Sequence, residues 1–178
     1  MHKDLKKILI SEEEIVNKSK ELGKEITEHY KNTNPPLLVA LLKGSVPFLA
    51  ELIKHIDLDI EFDFMDVSSY EGTLSSGDVK ILKDLDRSII DTEILLVEDI
   101  VDTGRTLAEV TRMLKYKGAK DVKIVTLLDK PSRRELPEVK ADFIGFSIPN
   151  EFVVGFGLDF DQKYRNLPYI GILKEELY

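Results

Sequence analysis

The chain contains no cysteine. That excludes a disulfide framework, a thiolate metal site and a cysteine nucleophile, and it fits a reducing compartment such as the cytoplasm. Histidine is also scarce, and His2, His29 and His55 lie far apart, without the spacing of metal ligands. No apolar run approaches membrane-spanning length, and no apolar stretch follows the polar, basic segment from Met1 to Lys7. Neither a membrane span nor a secretory signal is therefore expected. An excess of positive charge is missing as well. The net charge of −8 argues against a general nucleic-acid binder, whose surface must be cationic, although a local basic patch could persist within it. There is no internal repeat, low-complexity segment or linker, so the 178 residues are read as one domain, 1–178, with a single substantial core.

What is present alternates between helix and strand patterns. Ser11-Glu12-Glu13-Glu14 is a capping box, in which the serine caps a helix and Glu14 reaches back. Ile15, Leu22, Ile26 and Tyr30 repeat at helical spacing until Asn34-Pro35-Pro36. Leu37–Leu42 reads as a buried strand, and Pro47 suits the first turn of a second helix that buries Phe48, Leu49, Leu52, Ile53 and Ile56. Ile60–Val67 alternates apolar and acidic residues like a strand, and a long polar stretch, Ser68–Asp78, follows. Ile94–Val97 predicts another strand, Leu107, Val110 and Leu114 a helix stopped at Gly118, and Val122–Leu128 and Phe143–Ile148 two more strands. This order implies an α/β fold with a mostly parallel sheet flanked by helices.

The string Glu98-Asp99-Ile100-Val101-Asp102-Thr103-Gly104-Arg105-Thr106 carries the most chemistry. Adjacent carboxylates fall at the carboxyl end of a parallel strand, where open α/β sheets build their sites. A Thr-Gly-Arg-Thr turn then opens a helix, whose free backbone N–H groups and dipole favour a phosphate. The hydroxyls of Thr103 and Thr106 add donors, and Gly104 lets the backbone approach closely. The pattern is neither G-x-x-x-x-G-K-[ST] nor G-x-G-x-x-G, which disfavours nucleoside triphosphate hydrolysis. A solvated acidic turn before a capped helix is the plainer reading of any part of this string, though not of the whole.

At these residues the chain resembles the type I phosphoribosyltransferases. Leu42-Lys43-Gly44-Ser45, Val67-Ser68-Ser69-Tyr70, Leu127-Leu128-Asp129-Lys130-Pro131, Phe152-Val153-Val154-Gly155 and Tyr164-Arg165-Asn166-Leu167-Pro168 occur in family order. They resemble the bacterial hypoxanthine–guanine members. The resemblance covers nearly the whole chain and implies the type I fold, with a small hood made by N- and C-terminal segments. It also implies a magnesium enzyme that joins hypoxanthine or guanine to phosphoribosyl pyrophosphate, as a homodimer or homotetramer.

The implied roles follow residue by residue. Lys43 and Gly44 resemble the pyrophosphate loop, where the family has a cis peptide before the lysine. Glu98 and Asp99 resemble the acceptors for the ribose hydroxyls and bias a bound Mg²⁺, with Asp159 as a further magnesium contact near the purine 2-position. Asp102–Thr106 resembles the 5′-phosphate cradle, in which Arg105 occupies a variable position with no assigned role. Asp102 is also the implied general base. Lys130 resembles the donor to the purine O6, Phe152 the ring that stacks on the base, and the Val153 backbone the reader of its edge. Arg165 resembles a pyrophosphate clamp, suited by its planar fork of donors. Ser69 and Tyr70 begin the segment that resembles the family's lid. Phe156 and Phe160 depart from the tyrosines common in relatives.

Other readings share this fold. A pyrimidine-responsive RNA-binding attenuator carries a similar phosphoribosyl loop, but the lysine and Phe-Val strings favour a purine. A purine-sensing repressor needs a helix-turn-helix module for which the N-terminus offers no room. A binding protein without activity remains a third reading.

Overall fold

The computed structural model describes residues 1–69 and 79–178. After β1 (Leu5–Ile10), helix α1 (Glu12–Tyr30) begins at the predicted box. The Glu14 N–H donates to Ser11 Oγ at 3.3 Å, and the Ser11 N–H donates to the Glu14 carboxylate at 2.8 Å. Two N–H groups that the helix cannot use itself are thus satisfied. The predicted stripe Ile15, Leu22, Ile26 and Tyr30 is buried along its whole length.

The main sheet runs β4-β3-β2-β5-β6-β7. Its strands are β2 (Leu37–Leu42), β3 (Glu61–Ser69), β4 (Val79–Lys83), β5 (Glu93–Val101), β6 (Asp121–Asp129) and β7 (Phe143–Ser147). Every pairing is parallel except β3 with β4. Side chains of a strand point alternately to its faces, and both faces here are covered. Leu38, Ala40, Leu95 and Val97 therefore join the core under α1 and α2 (Val46–Leu52). Leu37, Val39, Ile94 and Leu96 join the opposite core, with Leu107, Val110 and Leu114 of α3 (Arg105–Tyr116). This is why the strands read in sequence as unbroken apolar runs. Among the described residues no helix is long and apolar enough to cross a membrane.

A second sheet, β1-β9-β8, forms the expected hood. It pairs β8 (Val153–Val154) and β1 with β9 (Ile170–Leu173), both antiparallel. The two ends of the chain meet there through Ile10 opposite Ile170.

Several elements differ from the sequence reading: β1, β4, β8 and β9 are not expected as strands, and α2 ends at Leu52, before Ile53 and Ile56. The strand predicted at Ile94–Val97 continues through the acid pair to Val101, because β6 lies alongside and pairs Glu98 with Thr126 and Val101 with Asp129. In β3 the alternation does not mark a buried face. Phe62 is 50% exposed, whereas Met65, on the other face, is fully buried. The helices rest mainly on β2, β5, β6 and β7, so among the described residues no helix roofs Phe62, which packs edge-on against Phe64.

Ser11→Ala removes the acceptor for the Glu14 N–H and should destabilise the protein by about 0.5–2 kcal/mol, read from urea unfolding. A midpoint equal to wild type would show that the cap contributes nothing.

Candidate functional site

Three loops converge at the carboxyl edge of the sheet. The first follows β2, where the Leu42–Lys43 peptide is cis. Gly44 comes next, buried, and the Ser45 hydroxyl donates back to the Leu41 carbonyl. A Cβ placed on Gly44 would lie 1.7 Å from Asp99 Oδ2, so the carboxylate of β5 rests on bare backbone. The third loop comes from the hood, where a Cβ on Gly157 would lie 1.9 Å from the Gly44 carbonyl oxygen. Arg165 holds that loop by donating to the Gly157 carbonyl at 2.7 Å and to Gln162 Oε1 at 3.2 Å, and it pairs with Asp159 at 2.8 Å.

Glu98 and Asp99 sit deep enough to be perturbed. Burial, reinforced by the neighbouring Asp99 charge, raises the Glu98 carboxyl well above its ordinary value. Burial likewise pushes Asp99 up to about 6, against the pull of the Ile100 N–H and Arg165, with Asp159 adding to the rise. Two adjacent, partly buried carboxylates suit a cation supplied from outside, since its charge would relieve both burial and mutual repulsion. Mg²⁺ is commonly held by one or two carboxylates together with substrate oxygens, and the donor set fits that pattern. Asp159 does not complete a protein cage. Among the described residues no three acidic, histidine or cysteine side chains gather to hold a metal. Asp159 pairs instead with Arg165, and its charge also acts on Asp99.

Beyond the acids, residues 98–104 with Thr106 and Leu107 line a cavity of about 240 Å³. Gly104 takes φ +87° there, a left-handed conformation that favours glycine, and hands the chain to α3. The Thr103 hydroxyl accepts from the Arg105 N–H at 3.4 Å, which leaves its own proton to donate. Arg105 itself is exposed and pairs with Glu135 at 2.5 Å.

The segment after β6 closes over this loop with contacts that the sequence reading missed. Arg133 Nε donates to Asp102 Oδ1 at 3.0 Å. Arg134 donates to the carbonyls of Asp102 at 3.2 Å and Val139 at 2.8 Å, and pairs with Asp129. The Glu135 N–H donates to the Thr103 carbonyl at 3.0 Å. The available clue was a pair of arginines shortly after Lys130-Pro131 in an acidic chain.

Lys130 enters the same space. Its N–H donates to the Val101 carbonyl at 2.9 Å, which sets it beside Asp102. The residue is only 7% exposed, and its ammonium makes no hydrogen bond or ion pair with the described residues. Burial lowers its pKa, opposed by the charge of Asp102, while Arg133 lowers it further and Glu151 raises it. Phe152 and Val153 lie in the hood, Val153 buried and Phe152 half-buried. Ser69 ends β3 opposite Val79. Tyr70, and with it the expected lid, lies outside the described residues.

The phosphoribosyl transferase domain family matches residues 7–161 of this chain. Over 179 aligned positions the chain is 59% identical to the hypoxanthine-guanine phosphoribosyltransferase of Streptococcus thermophilus, covering all of this chain and 98% of that protein. Among solved structures it resembles a hypoxanthine phosphoribosyltransferase from Staphylococcus aureus, with TM-score 0.95, 51% identity and coverage of 100% and 96% of the two chains. It also resembles the Trypanosoma cruzi hypoxanthine phosphoribosyltransferase in complex with the product IMP, with TM-score 0.94, 40% identity and coverage of 100% and 99%.

Gly44→Ala tests the contact on which the site closes. The new methyl group should turn the Asp99 side chain away and cost about 1–3 kcal/mol in urea unfolding, as overpacking usually does. A crystal structure of the variant with Asp99 unmoved and a wild-type unfolding midpoint would refute that packing.

Proposed function

The chain belongs to the phosphoribosyl transferase family, and from that premise we infer its reaction and the parts its residues play. It is a purine salvage enzyme that transfers the phosphoribosyl group of phosphoribosyl pyrophosphate to hypoxanthine or guanine. The products are the nucleoside monophosphate and pyrophosphate. The observation that carries the purine reading is Lys130, a residue only 7% exposed whose ammonium makes no hydrogen bond or ion pair among the described residues. Its three donors and lack of any acceptor suit the O6 of a 6-oxopurine and oppose the amino group of adenine. The matched relatives are purine enzymes, which favours this reading over an RNA-binding attenuator.

The purine lies between Lys130 at its 6-position and the Val153 backbone at its other edge, stacked on Phe152. Its N9 attacks the sugar carbon as the bond to the pyrophosphate oxygen breaks, with inversion. Asp102 accepts or steers the proton on N7. Arg133 engages only its Oδ1, so Oδ2 makes no hydrogen bond among the described residues. The 5′-phosphate sits on the Asp102–Thr106 loop at the N-terminus of α3. Lys43, the Gly44 backbone and Arg165 take the leaving pyrophosphate, and Glu98 and Asp99 accept from the ribose hydroxyls. Glu98 and Asp99, with Asp159 as a further contact, would hold Mg²⁺, which would supply charge neutralisation for the pyrophosphate. The same reading includes a homodimer or homotetramer, and a cytoplasmic location supported by the lack of cysteine.

Pyrophosphate release should be seen with hypoxanthine and guanine, fail with adenine and uracil, and vanish when divalent cations are chelated. Turnover of uracil without turnover of either 6-oxopurine would sink the purine assignment.

Asp102→Asn keeps the size of the side chain but removes its charge and its capacity to take a proton. Binding of phosphoribosyl pyrophosphate should persist while the chemical step slows roughly 10²–10⁴-fold. Single-turnover kinetics provides the measurement, and an unchanged chemical rate would move the role to another group.

A further inference from the structure

The ring of Phe152 stacks against a residue remote in sequence. Tyr178 stacks on it with ring centroids 4.6 Å apart and planes 27° from parallel. Phe160 meets the same ring edge-on, at 5.5 Å and 88°. The backbone explains how Tyr178 arrives there. The Leu173 N–H at the end of β9 donates to the Phe152 carbonyl at 2.9 Å. The next residue, Lys174, donates its N–H to the Asp4 carbonyl at 3.1 Å, and a single 3₁₀ turn over Glu175–Leu177 is closed by the Leu177 N–H on the Lys174 carbonyl. That turn carries Tyr178 back over the ring whose own carbonyl holds β9. Phe152 is thus gripped at its backbone and at its ring by one short segment.

We propose that Tyr178 is a positioning residue for purine binding, which it serves by stacking on one face of Phe152 and leaving the other face for the base. The proposal rests on the reading of Phe152 as the base-stacking ring. A half-buried phenylalanine at the head of a two-residue strand has little regular structure to fix its side-chain rotamer. An offset aromatic partner on one face restricts the ring to the orientation that the opposite face needs. The purine then meets a platform already in place and loses less affinity to ordering it. Tyr178 is 52% exposed, so its truncation removes a ring contact without opening the core. The phenolic oxygen has no part in the stack, and Tyr178→Phe should preserve the function.

The test is steady-state kinetics of the full chain, with hypoxanthine and phosphoribosyl pyrophosphate varied separately. Tyr178→Ala should raise KM for hypoxanthine about two- to tenfold, the size expected of a lost aromatic pair, and leave kcat and KM for phosphoribosyl pyrophosphate within about twofold. Tyr178→Phe should match wild type on all three. Phe152→Leu is the control, and it should raise KM for hypoxanthine at least as much. If Phe152→Leu raises it and Tyr178→Ala does not, the positioning role fails while the base platform stands. If Phe152→Leu leaves it unchanged, the platform itself fails and the positioning role falls with it. A lower KM for hypoxanthine in Tyr178→Ala would mean that Tyr178 occupies the face meant for the base. An equal rise in both KM values would mark a general structural effect. Either result overturns the proposal.

Discussion

The carboxylate of Asp99 rests on the backbone of Gly44, with no room for one methyl group between them, and the carbonyl of Gly44 in turn excludes any side chain at Gly157. These contacts lock together three segments that are far apart in sequence. The parallel pairing of β2 with β5, as in Ala40 opposite Val97, carries the Gly44 loop alongside Asp99. The hood brings Gly157 onto that loop, and Arg165 keeps it there through the Gly157 carbonyl and Asp159. The acid pair could not be so crowded in water. Its raised carboxyl values reflect a site in which negative charge has been concentrated ahead of a cationic or hydrogen-bonding ligand.

A second set of contacts joins the phosphate side to the base side. Arg133, Arg134 and Glu135 each reach from the segment after β6 to the loop after β5. Arg134 is the most enclosed of the three and holds the backbone carbonyls of Val101, Asp102 and Val139 as well as Asp129. Lys130 immediately precedes this segment, and its backbone N–H is itself fixed on the Val101 carbonyl. Preorganised charges of this kind need not be reorganised when substrates bind, and that is where electrostatic catalysis gains most. The local cationic groups also show how a chain of net charge −8 can receive a polyanionic substrate. Arg165 beside Asp99, and Lys130 and Arg133 beside Asp102, are such groups at the sheet edge.

By itself, the sequence determined the helices α1 and α3, most strands of the main sheet and the residue types carried by each loop. The capping box at Ser11, the buried runs at Leu37–Leu42 and Val122–Leu128, and the helix through Leu107, Val110 and Leu114 were all legible, because hydrophobic period and capping are local properties. The acid pair followed by Thr103-Gly104-Arg105-Thr106 was legible for the same reason, and family resemblance supplied the hood and the expected roles of Lys130 and Arg165. Only the tertiary structure decided the partners. Strand pairing continued β5 through Glu98 and Asp99, and the lack of a roofing helix left Phe62 in solvent. Arg165 took the carboxylate of Asp159, Arg133 took Asp102, and Tyr178 came to lie on Phe152 across a separation no local pattern encodes. The physical reason is common to all of these. A side chain's type sets what it can bond, but which group it meets depends on contacts between elements distant in the chain, and those exist only once the sheet and the hood have assembled.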